Sequence, residues 1–115
     1  MGFPSIYAIV VGVGMIAQWA FFIGAGRVPE VKTEPWRIGF HLAGEFLTAL
    51  ALIGGGAALI AGVSWGRALY RVAAGMLLYT AIVSPGYFAQ QGEWALVAMF
   101  TVILALAVLA LALLG

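Results

Sequence analysis

The stretch from Trp94 to Leu114, WALVAMFTVILALAVLALALL, contains no charged residue and nothing more polar than Thr101. Rising 1.5 Å per residue as an α-helix, a run of about 20 such residues crosses the roughly 30 Å hydrocarbon layer of a bilayer. A helix that is apolar all round has no face to offer water. The rest of the chain repeats the pattern. Only five Lys or Arg and four acidic residues occur among 115 residues, and 65% of the chain is hydrophobic. Mean hydropathy is +1.15. Soluble domains carry about 25% charged residues, and a chain this short has too much surface for its volume to hide so many apolar side chains from water.

Working outward from Trp94, three more apolar runs appear between breakers. The predicted spans are about 5–24, 38–63, 68–88 and 94–114. The first is uncharged and closes at Gly24-Ala25-Gly26-Arg27; the second, after Pro35, holds only His41 and Glu45 as ionisable groups. The third meets Ser84-Pro85-Gly86, where the missing N–H of Pro85 favours a helix end at Ser84, with continuation to Phe88 as the alternative. The expected fold is all-α, an integral membrane protein of four helices in an up-down bundle, with one transmembrane domain over 1–115. The first run lacks a basic n-region and is too long for a signal-peptide core, so it is read as a span. Trp36, Tyr87 and Trp94 are expected at one membrane interface, and Phe3, Tyr7, Trp65 and Tyr70 at the other.

Four spans put both termini and the second loop on one side, and the first and third loops on the other. Arg27, Lys32 and Arg37 flank the first loop, against Arg67 and a snorkelling Arg71 opposite. That margin of one residue favours the first loop in the cytoplasm and leaves open insertion in both orientations, as an antiparallel dimer would require; the expected location is a prokaryotic plasma membrane. The first loop alternates charge from Arg27 to Arg37 and reads as a self-neutralised, solvated connector, with a substrate-gating lid as the sharper reading. A net charge of +1 without a basic run excludes a nucleic-acid footprint. No cysteine is present, which excludes disulfides and thiolate ligands.

His41 and Glu45 are the chemistry-bearing pair. Four residues apart, they share a helix face that Thr48 and Leu52 continue. Glu45 lies about 10 Å into the predicted second span. A carboxylate at that depth costs about 2.5 to 3.5 kcal/mol, so a partner, protonation or water access is required. Three readings compete: a hydrogen bond that pins helix packing, a proton- or cation-handling site, and a metal or cofactor site. The second rests on imidazole changing charge near neutral pH and on burial favouring a protonated carboxyl. The third needs further ligands from symmetry-related copies or water, with His41 and Glu45 as its ligands here. Gln18, Tyr79 and Ser84 approach the same leaflet and complete the expected substrate- or ion-binding set. No zinc-protease, phosphate-loop or dinucleotide motif occurs, so no catalytic residue and no cofactor is assigned. Small residues at Gly54, Ala58 and Gly62, and at Ala8 and Gly12, predict close helix packing. The smooth fourth span is expected to face lipid or a homo-oligomer interface, in a dimer or higher assembly.

In size and four-span layout the chain resembles the small multidrug resistance transporters. That resemblance implies a dimer exchanging protons for cations through a glutamate in the first helix. Here the first helix offers Gln18 instead, so no functional residue carries over. The stretches PWRIGFHLAGEFLTA (Pro35 to Ala49) and SPGYFAQQGEWALVAMF (Ser84 to Phe100) are similar to small prokaryotic four-helix membrane proteins of uncharacterised function. Transport is therefore the leading expectation, with a structural or accessory subunit as the alternative.

Overall fold

Helix boundaries follow from prolines that open them and glycines that close them. A computed structural model describes residues 2–115. It contains α1 (Phe3–Gly24), α2 (Glu30–Thr33), α3 (Pro35–Ala61), α4 (Gly66–Gln90) and α5 (Trp94–Leu114). No strand occurs among the described residues. Pro4 and Pro35 sit in the first turns of α1 and α3, where a missing N–H costs nothing. Gly62 ends α3 in the left-handed region at φ 72°, which favours a residue without a Cβ.

The fold is an all-α, up-down bundle of four long helices, each long and apolar enough to cross a membrane. Around the bundle α1 packs on α3, α3 on α4 and α4 on α5, and the α1–α5 seam is the lightest contact. The molecule extends 44 Å along its longest axis, comparable with the roughly 40 to 45 Å of a bilayer with its headgroups. Large apolar side chains face outward at mid-helix, among them Val10, Leu47, Val72 and Val102. This inverts the soluble pattern and suits lipid.

The predicted stop at Ser84 is not observed: α4 runs through Pro85 to Gln90. Continuing the helix buries Phe88, whose ring stacks on Phe100 at 5.7 Å, and brings Tyr87 to Glu30. Those contacts offset the single backbone bond that Pro85 removes. The helix that carries the second predicted span, α3, begins at Pro35, before the expected start near 38, and ends at Ala61 rather than Val63.

Close packing uses Gly12, as predicted, together with glycines of α3 that the predicted stripe did not include. A Cβ on Gly12 would lie 2.7 Å from the Ala49 carbonyl oxygen, and one on Gly56 would lie 2.7 Å from that of Ser5. These two positions let α1 and α3 approach backbone to backbone, where van der Waals contact drives association in lipid. Gly55 does the same towards the Tyr70 backbone on α4, at 3.0 Å. Of the Gly54-Ala58-Gly62 stripe, Ala58 is buried against Gly66 of α4, whereas Gly54 has only an ordinary contact with Leu69 and Gly62 has none.

Two apolar clusters fill the interior. One, nearer the chain termini, includes Tyr7, Leu52, Tyr70, Leu77 and Ala107; the other, nearer the first loop, includes Trp19, Phe22, Ile38, Phe88 and Phe100. Between them along α3 and α4 lie four buried polar residues, Glu45, Thr48, Thr80 and Ser84.

Candidate ion-binding site

Glu45 stands ten residues beyond Pro35, the start of α3, and therefore about 15 Å along that helix. It is deeper than the sequence reading placed it. The residue is 2% exposed. One carboxylate oxygen, Oε1, accepts a hydrogen bond from Ser84 Oγ at 2.8 Å, which links α3 to α4. His41 Nε2 lies 3.6 Å from the same oxygen, beyond hydrogen-bonding distance. The second oxygen, Oε2, and His41 Nε2 are both buried and have no hydrogen-bond partner.

An orphaned carboxylate oxygen in an apolar surround carries the full cost of its lost hydration. The helix dipole offers no relief at mid-helix, because its effect is confined to the end turns. Relief has to come from a proton, a cation or water.

A cavity of about 480 Å³ adjoins these groups, bounded by α3 and α4. Glu45, His41, Thr48 and Thr80 contribute its polar lining, and Phe40, Met76 and Val83 contribute apolar walls. Tyr79 lines it too, but is 68% exposed and forms the outer rim. His41 lies one turn nearer the first loop than Glu45, with its side chain 31% exposed. Its ring packs edge-on against Trp19, centroid to centroid at 5.7 Å. The imidazole is thereby held between a rigid indole and the cavity.

Of the predicted residues, His41, Glu45, Ser84 and Tyr79 are brought together. Gln18 is not among them. It lines a second cavity of about 310 Å³ formed by α1, α4 and α5, with Met15, Phe22, Leu77 and Phe100. Thr80 belongs to the site and was not singled out in the sequence, and Thr48 was noted only as part of a stripe. The signal for Thr80 was its spacing of four from Ser84, which puts two hydroxyls on one face of α4.

The loop charges are also arranged differently from expectation. Arg27 pairs with Glu93 of the third loop at 2.6 Å and lies over the Phe22 ring, while Glu30 accepts a hydrogen bond from Tyr87 at 2.6 Å. Within the loop itself, Arg37 pairs with Glu34 at 3.2 Å. The connector thus neutralises itself only at Arg37 and Glu34, and is otherwise tied to the end of α4 and to the next loop. At the other end, Arg67 and Arg71 donate to the Leu114 and Gly115 carbonyls, a favourable place for cations at a helix C-terminus. Tyr7 and Tyr70 are buried and donate to the backbone of Ile103 and Pro4, so they pin neighbouring helices together. Trp36, Trp65 and Trp94 are exposed at helix ends, as an aromatic belt requires.

Among the described residues no three His, Cys, Asp or Glu side chains lie together as a metal site. Two nitrogen and oxygen ligands from one chain fall short of the usual four to six. No curated protein and no solved structure matches the chain. A family model described as a domain of unknown function, DUF8058, matches residues 2–114, and the chain belongs to that family.

Proposed function

We propose that this chain is a small transporter or channel-like membrane protein that binds a proton or cation at Glu45, with His41 as the neighbouring titratable group. Ser84 orients the carboxylate and Tyr79 rims the site. The observation that carries this reading is the buried, unpartnered Oε2 of Glu45 beside a cavity about 15 Å along a spanning helix. Intramembrane acids of this kind mark ion and proton pathways more often than packing contacts. The cavity opens on the outer side of the α3–α4 pair, which favours a homo-oligomer, dimer or higher, that shields it from lipid. A prokaryotic plasma membrane with the first loop in the cytoplasm is the accompanying orientation.

The test is proteoliposome flux. An imposed cation gradient should drive proton movement with the wild-type protein, and Glu45→Gln should abolish it. Undiminished coupled flux in Glu45→Gln overturns the assignment.

A second reading, a structural or accessory subunit, draws on the Ser84–Glu45 bond between α3 and α4. Under it, replacing Glu45 with Leu would change stability or partner co-purification, and ion movement would be unaffected by any substitution at the site.

A further inference from the structure

The polar side chains around Glu45 have an unusual balance of donors and acceptors. Thr48 donates its hydroxyl proton to the Gly44 carbonyl at 2.7 Å, and Thr80 donates to the Leu77 carbonyl at 3.4 Å. Ser84 donates to Glu45 Oε1. All three hydroxyl protons are committed. What each oxygen still presents is lone pairs, and Glu45 Oε2 adds more.

Pro85 lies outside this balance. Lacking an N–H, it leaves α4 one backbone bond short at Ala81, a turn back from Pro85 and away from the residues of α4 that line the cavity. Oxygen acceptors thus gather between α3 and α4, and the titratable groups that face them are His41, whose Nε2 lies 3.6 Å from Oε1 without a hydrogen bond, and Tyr79 at the rim. A proton alone would satisfy one lone pair. Hard oxygens in this number are the ligand set of an alkali or alkaline-earth cation.

Charge decides between those two. Glu45 is the single carboxylate at the site, so a monovalent ion leaves the buried centre neutral, whereas a divalent ion leaves an uncompensated positive charge in hydrocarbon. We infer that Glu45, Ser84, Thr80 and Thr48 form a binding site for a monovalent alkali cation, with sodium as the working ion. This rests on the reading of Glu45 as an ion-binding group and narrows it to a substrate class. Sodium and a proton then compete for one carboxylate, and that competition is how the two ions would be exchanged.

Competition can be read on wild-type protein in lipid vesicles. A lipophilic carbodiimide reacts with a protonated carboxyl and can enter past the apolar walls of Phe40, Met76 and Val83. Sodium chloride should protect Glu45 from labelling in a saturable way, while choline chloride at equal ionic strength should not. Thr80→Val should raise the sodium concentration for half protection about tenfold, and Thr80→Ser, which keeps the hydroxyl, should stay near wild type.

Labelling that responds identically to both salts overturns the sodium site and leaves the proton reading standing. Unchanged sodium protection in a folded Thr80→Val overturns the hydroxyl cage. No labelling of Glu45 in either salt, with Glu45→Gln as the blank, overturns both this inference and the function it rests on.

Discussion

Removing the Ser84 hydroxyl probes the site at its one observed interhelical bond. Ser84 is 1% exposed, and its Oγ is the sole hydrogen-bond partner of Glu45. Ser84→Ala leaves both carboxylate oxygens unpaired in an apolar surround. A hydrogen bond to a charged acceptor contributes about 1.5 to 3 kcal/mol. Neutral side-chain bonds between membrane helices average about 0.6 kcal/mol and reach about 1.7. The size of the loss therefore reads the charge on Glu45.

A double-mutant cycle isolates the term. Glu45→Leu replaces the acid by an apolar side chain of similar length and should be close to neutral or stabilising, because it also removes the orphaned oxygen. In that background Ser84→Ala should cost almost nothing. The expected coupling is about 1.5 kcal/mol or more if the carboxyl is ionised and about 0.6 if it is protonated. Reversible unfolding in mixed micelles supplies the four stabilities, and coupling below about 0.3 kcal/mol, the limit of simple additivity, would refute the geometry of the site.

Two further outcomes follow from packing and from the loop. Gly56→Ala should destabilise the bundle by about 1 to 3 kcal/mol, because its new methyl meets the Ser5 carbonyl at 2.7 Å; Gly14→Ala, with open space around it, should be neutral or stabilise by up to about 1 kcal/mol through helix propensity. Equal effects in thermal melts would contradict the α1–α3 contact. Tyr87→Phe removes the hydrogen bond to Glu30 and should cost about 1 kcal/mol, with faster amide exchange confined to residues 27–34. Unchanged exchange there would show that α2 is held by other means.

The spans were legible because the bilayer imposes one rule on every residue of a run, and nine charges among 115 residues leave few places to break it. Glu45 was legible for the same reason: it is the acid farthest from any loop. What could not be read was rotation about each helix axis. Gln18 sits at the right depth for the site, yet α1 turns it towards α4 and α5. Gly54 and Gly62 of the predicted stripe failed similarly, while Gly12 and Ala58 do pack closely. A spacing of four identifies a face, but α3 has two neighbours, and adjacent Gly55 and Gly56 serve one each. Pro85 was misread because its local cost was visible in sequence and the distant contacts of Tyr87 and Phe88 that offset it were not. Thr80 was overlooked since a lone threonine in an apolar run is unremarkable until its neighbour across the bundle proves to be Glu45's helix.

The central claim is that Glu45 is an ionisable centre in communication with solvent, not a sealed packing contact. Infrared difference spectra of the protein in hydrated bilayers, recorded between acidic and alkaline buffer, test it directly. The account predicts a protonated-carboxyl band that is present in acid, disappears in alkali and is absent from Glu45→Gln. A Glu45 band that stays constant in both buffers would contradict it.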